Sequence, residues 1–185
     1  MAEALAEAGG KVYTLDREPS PGEYWQEAIA RFDHSTAGSL HYRQADVSKT
    51  PYLYSLIASI GAEHQRLDGV VAAAGIQQVT PALDYSPSDV ARMLEIHYTG
   101  VFMTAQSAVK QMFKYKTRGS ICLIASMSGL IANKGLLSPV YNSLKAALDP
   151  ISEESGDGVE SYEGGRIRRH QDNVTLRSLA GDPPY

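Results

Sequence analysis

GSICLIASMSGLIANKGLLSPVYNSLKAAL, residues 119–148, decides the fold. It opens with SICLIAS, a nearly unbroken apolar run of the kind found in a parallel strand buried on both faces. A loop containing Asn133 and Gly135 follows, and a helix restarts at PVYNSLKAAL with Pro139 in its first turn. Working back along the chain, Ser86-Pro87-Ser88-Asp89 reads as a helix start: a hydroxyl cap, a proline in the first turn and a carboxylate at the positive end of the dipole. The helix it opens runs through VARMLEIHYTGVFMTAQSAVKQMFKYK, where apolar residues recur every three or four positions, and ends before Arg118-Gly119. LDGVVAAAG is another buried strand closed by glycine, and TPYLYSLIASIGAEHQR before it has helical spacing.

The same rhythm continues to the amino terminus. LHYRQADV is a strand, EYWQEAIARF an amphipathic helix, and KVYTLDRE a strand that ends in charge ahead of Pro19 and Pro21. MAEALAEAG is a helix stopped by Gly9-Gly10; it starts with no capping residue before it, which suggests that a segment upstream is missing. Buried strands alternating with crossover helices specify an open parallel α/β sheet. After Asp149-Pro150 the character changes: only about a quarter of residues 151–185 are hydrophobic, against 43% for the whole chain, and no strand is expected in that stretch. The organisation expected is a partial α/β domain over 1–149 and a divergent, disordered tail over 150–185.

Composition excludes several classes of function. The chain has 185 residues, enough for one domain with a sizeable core, and a formal net charge of −4. That balance gives no basic surface for nucleic acid or anionic membrane. No run reaches the roughly 18 apolar residues of a membrane span, and the acidic amino terminus is unlike a signal peptide. One cysteine, Cys122, excludes an internal disulfide framework and a cysteine-cluster zinc site, and the cytoplasm is the expected compartment. His34, His41, His64 and His170 show no metal-ligand spacing, so no metal is expected. RIRRH, flanked by acidic residues, reads as solvated tail, and Trp25 and the tyrosines of PYLYSL read as packing residues.

In an open parallel sheet, ligands bind beyond the carboxyl ends of the strands, which here are closed by Asp16, Asp46, Gly75 and Ser126. Asp16 is placed to accept hydrogen bonds from ribose hydroxyls, although a solvated loop carboxylate accounts for it equally well. Arg17 beside it suits a 2′-phosphate, which leaves NAD and NADP both open. Tyr141 and Lys145, four apart, share one helix face, where an ammonium can stabilise a phenolate and make the tyrosine a general acid/base. Ser126, at a strand end, could hydrogen-bond the same substrate oxygen. A serine hydrolase built on Ser126 would need glycine two residues earlier for its sharp turn, and position 124 is Ile124.

With Ser126, Tyr141-x-x-x-Lys145 and these strand ends in order, residues 1 to about 149 resemble the short-chain dehydrogenase/reductase family. The segment ASMSGLIAN is most similar to its fungal-type carbonyl, mannitol and sorbose reductase branch. The resemblance implies a Rossmann-type doubly wound parallel sheet, here incomplete because the first strand and the C-terminal strands are missing. It implies NAD or NADP as cofactor and reversible hydride transfer between nicotinamide and a secondary alcohol or ketone, such as a polyol, ketose or small carbonyl compound. A homo-oligomer is also implied.

Carried over residue by residue, the resemblance makes Tyr141 the residue that exchanges a proton with the substrate oxygen. Lys145 supports it and holds the nicotinamide ribose, and Ser126, preferred to Ser128, orients the oxygen. Asp46 and Val47 fall near the adenine. The family's Asn-Asn-Ala-Gly turn matches Ala72-Ala73-Ala74-Gly75, with Ala73 and Gly75 at the cofactor and both asparagines replaced by alanine. Three departures accompany these matches. The family's first strand and glycine-rich phosphate turn precede the helix in which this chain begins, and the C-terminal strands are replaced by residues 150–185. His97 stands where an asparagine usually helps to hold a proton-relay water. A histidine there either relays a proton or marks loss of that role, and the alternative to an enzyme is an inactive remnant or interaction protein unable to hold the cofactor.

Overall fold

The computed structural model describes residues 1–32, 37–131, 137–148 and 174–178. His34, the loop around Asn133 and Gly135, the change of character at Asp149-Pro150, and the RIRRH segment with His170 lie outside them. The chain divides into two compact units, Met1–Lys49 and Thr50–Tyr185.

In the first unit, α1 (Ala2–Glu7) precedes β1 (Lys11–Asp16), α2 (Glu23–Arg31) and β2 (Ser39–Gln44). Gly9 at φ +94 ends α1: its N–H reaches Ala6 O at 2.8 Å and the N–H of Gly10 reaches Leu5 O at 2.9 Å. These are the paired bonds of a Schellman stop, which a residue with a Cβ would strain. β1 and β2 pair in parallel, Lys11 opposite Ser39 through Asp16 opposite Gln44. Gly38 lies so close to the Ala6 carbonyl that a Cβ there would overlap it.

In the second unit, α3 (Thr50–His64) leads to β3 (Gly69–Ala72), and α4 (Pro87–Leu94) starts at Ser86 with both bonds of a capping box to Asp89. The expected long helix is present, but Glu95–Gly100 winds as a π-helical turn before α5 (Val101–Lys114). β4 (Ser120–Ile124), a 3-10 turn at Met127–Gly129 and α6 (Pro139–Ala146) complete the expected series. β3 pairs with β4 in parallel, and Val101, Ala108 and Met112 of α5 pack on Ala72, Ile121 and Leu123. Burying one such apolar side chain contributes about 1.5–3 kcal/mol.

One expectation is corrected. Residues 174–178, read from composition as part of a strandless tail, form β5 (Val174–Ser178), antiparallel to β4 with Val174 opposite Ile124. The segment VTLRS carries β-branched and apolar residues at its start, a local preference that the average over 35 residues hid. Strand pairing gives two sheets, β1-β2 and β3-β4-β5. No helix among the described residues is long and apolar enough to cross a membrane.

Candidate active site

The site assembles around α6 in the second unit. Four-residue spacing sets Tyr141 and Lys145 on one face of this helix, and the Lys145 ammonium stands 5.7 Å from the Tyr141 ring centroid. Lys145 is only 5% exposed, and its Nζ donates to Ile124 O at 2.7 Å, tying α6 to the end of β4. Burial pushes the Lys145 ammonium below its ordinary value. One bond leaves donor capacity on this ammonium, since Nζ carries three protons.

Ser126 follows β4 directly. It is half-buried, and its Oγ accepts the Ser128 N–H at 3.2 Å, capping the 3-10 turn. Ser128 is buried within that turn. Gly129 closes it against α6: a Cβ there would sit 2.7 Å from both Ala146 N and Lys145 C. The missing side chain therefore lets the Ser126 turn approach the helix that carries Tyr141 and Lys145.

The turn after β3 forms another wall. Ala73 and Gly75 are exposed there, and Thr80 N–H bonds Leu137 O at 2.9 Å, linking this loop to the residues that lead into α6. His97, on the π-helical turn, is 1% exposed, and its Nε2 meets the Ile76 backbone, 3.1 Å from N and 2.5 Å from O. Its ring stands edge-to-face on Tyr141, centroids 5.2 Å apart at 89°. Burial holds the imidazole below its ordinary value; the Ile76 contact opposes this, and the Lys145 charge adds to it. Gly75 leaves room for the ring, because a Cβ there would lie 2.8 Å from His97 Cε1.

The remaining expected residues lie in the first unit, at the carboxyl ends of β1 and β2. Asp16 is exposed and its Oδ1 accepts Glu18 N–H at 3.1 Å, while Arg17 pairs with Glu18 at 3.2 Å. Asp46 Oδ1 accepts Ser48 N–H at 2.9 Å. The backbone and side-chain bonds from Ser48 hold the Asp46 carboxyl low, with Lys49 and Arg17 adding to the effect. Val47, beside it, is half-buried.

Sequence reading thus named Tyr141, Lys145 and His97, which the fold brings together. It missed the Ile124 and Ile76 backbone groups that hold two of them, because every residue carries those groups. It also missed the close approach at Gly129, whose only local signal is a glycine three residues after the strand-end serine. Chemically, the cluster offers a phenol with a cation over its ring, beside a hydroxyl-bearing strand end. Such a set can exchange a proton with a ligand oxygen and stabilise the charge that results.

The short chain dehydrogenase family model matches residues 1–165, and the chain belongs to that family. It is 32% identical over 159 residues to a short-chain dehydrogenase/reductase of Aspergillus versicolor, covering 82% of this chain and 52% of that protein. It is 31% identical over 151 residues to a galactitol 2-dehydrogenase of Rhizobium johnstonii, covering 81% of this chain and 56% of the other. Among solved structures, a short-chain type dehydrogenase/reductase from Mycobacterium marinum is similar with a TM-score of 0.78 and 28% identity, over 86% of this chain and 63% of that one. The chain spans about half the length of the curated relatives it matches.

Proposed function

We propose that this chain carries the proton-transfer half of an NAD(P)-dependent oxidoreductase acting on a secondary alcohol or ketone, with a polyol or ketose as the favoured substrate class. The observation that carries the reading is the buried Lys145 ammonium over the Tyr141 ring at the end of β4. Family membership supports nicotinamide chemistry, and the galactitol dehydrogenase relative supports a polyol.

Taken separately, each unit carries groups whose donor and acceptor chemistry suits part of a nicotinamide dinucleotide. Lys145 has unused donor capacity for ribose hydroxyls, and Asp16 presents an exposed carboxylate that can accept from the other ribose. By the resemblance, Asp46 and Val47 would flank the adenine, and Ala73 and Gly75 would contact the cofactor. The 185 residues contain no G-x-G-x-x-G turn, so no residue of this chain is assigned to the pyrophosphate. Arg17 favours a 2′-phosphate and Asp16 disfavours one; the Arg17–Glu18 pair occupies that cation, and NAD is the better match.

When bound, the nicotinamide supplies or accepts the hydride at the substrate carbon. In the reducing direction Tyr141 Oη gives its proton to the carbonyl oxygen as the alcohol forms, and in the oxidising direction it takes that proton back. The Lys145 ammonium stabilises the negative charge left on the phenol oxygen. Ser126 Oγ orients the substrate oxygen. Titrating the chain with NADH and NADPH, followed by nucleotide fluorescence, tests the reading. Saturable binding is expected, with polyol- or ketone-dependent turnover that Tyr141→Phe lowers by about 10²–10⁴-fold. Folded protein that binds neither nucleotide would overturn it and leave a non-catalytic family member.

A further inference from the structure

The buried histidine on the π-helical turn has a role that the Tyr141–Lys145 pair leaves unassigned. Its Nε2 meets both the N–H and the carbonyl of one residue, Ile76. In one tautomer the ring accepts from the N–H; in the other it donates to the carbonyl. A backbone amide passes no proton onward, so a relay entering at one ring nitrogen and leaving at the other is blocked at Nε2. Nδ1 is buried and makes no hydrogen bond among the described residues. A phenylalanine would fill the same space with no unmet nitrogen, so what the imidazole adds is its hold on the Ile76 backbone.

We propose that His97 is a positioning residue for Tyr141: pinned through Nε2 to the turn after β3, the imidazole stands perpendicular to the phenol ring and holds it in place while Lys145 stands over it. The inference rests on the reading of Tyr141 and Lys145 as the acid–base pair. Three observations converge on it. The edge-to-face contact fixes the phenol ring plane. Gly75 gives the ring its space, since a Cβ would lie 2.8 Å from Cε1. The π-helical turn, a local departure from the ordinary helix, carries His97 at its centre. Both groups of α6 that bear on the ring oppose its protonation or leave it neutral: Lys145 is cationic and Tyr141 is a phenol. The turn Ala73–Ile76 has no titratable side chain, and Glu95 on the same helical turn is exposed.

Nuclear magnetic resonance of the full chain with 15N-labelled histidine tests this, with the His97 signals assigned by their loss in His97→Phe. The expected signals are those of a ring that stays neutral to lower pH than an ordinary histidine does. They should shift in Tyr141→Leu and stay nearly in place in Tyr141→Phe, which keeps the aromatic ring. Ordinary titration, or identical signals in all three proteins, would overturn the proposal. In the kinetic arm, His97→Gly is expected to lower kcat about 10–100-fold with nucleotide affinity within about twofold, and added imidazole to restore it by refilling the space. Loss of turnover in Tyr141→Phe with none in His97→Gly would remove the positioning role and keep the acid–base reading. Full turnover in Tyr141→Phe would remove the acid–base reading, and the role proposed for His97 with it. A chain without turnover leaves the resonance measurement to decide the contact.

Discussion

The strand ends of the two units hold polar groups in opposite ways. At β1 and β2, Asp16 and Asp46 are satisfied by N–H groups two residues further on, from Glu18 and Ser48. At β3 and β4, Ile76 and Ile124 hold His97 and Lys145, each across 21 residues of sequence. The first arrangement is local, solvated and repeated almost unchanged on neighbouring strands. The second exists only after a strand, a helix and a loop have packed, and it buries a cation and an imidazole. Local turns keep acceptors available to a ligand at little cost; long-range contacts fix geometry, and each depends on the packing of several elements.

The comparison breaks most readily at Gly129. Adding a Cβ forces it to within 2.7 Å of helix backbone, which cannot rotate aside. Gly129→Ala is therefore expected to destabilise the second unit by about 1–3 kcal/mol, read as a lowered urea midpoint. An unchanged midpoint would mean that the Ser126 turn and α6 do not need this approach.

A subtler test uses the buried cation. Because Lys145 has a lower pKa in the folded chain than its ordinary ~10.4, the unfolded chain binds more protons in the window just below that value. Folding stability should then rise with pH through the window as the unfolded chain gives up its extra proton. Lys145→Met should flatten that rise, and urea titrations from pH 7 to 10 on both proteins would show it. A parallel rise in the two would place its origin elsewhere.

The smallest effect belongs to the local turn at β2. Asp46 is held low by its bonds from Ser48, so its contribution is present above the ordinary carboxylate pKa of ~3.9 and is lost as pH falls through the folded value. Asp46→Asn is expected to leave stability near pH 7 within about 0.5 kcal/mol of the parent and to weaken its acid dependence below pH 4. An equal loss at pH 7 and pH 3 would show that the carboxylate's charge plays no part.

Much of this was legible in sequence because its causes are local. The Ser86–Asp89 capping box, the Gly9-Gly10 stop and the apolar runs at β3 and β4 are short-range patterns, and each appears where it was read. β5 escaped because strand pairing depends on a partner, here β4, whose register no local average reveals. The π-helical turn escaped because LEIHYTGVF keeps ordinary helical spacing on both sides of it.

Sequence by itself determined the order of strands and helices and the shared face of Tyr141 and Lys145, since helical periodicity follows from backbone geometry alone. Tertiary structure decided what those side chains meet: Ile124 O for the ammonium, the His97 ring for the phenol and Ile76 for the imidazole. Backbone carbonyls and amides are the same on every residue, so only packing selects which of them a buried polar side chain can reach.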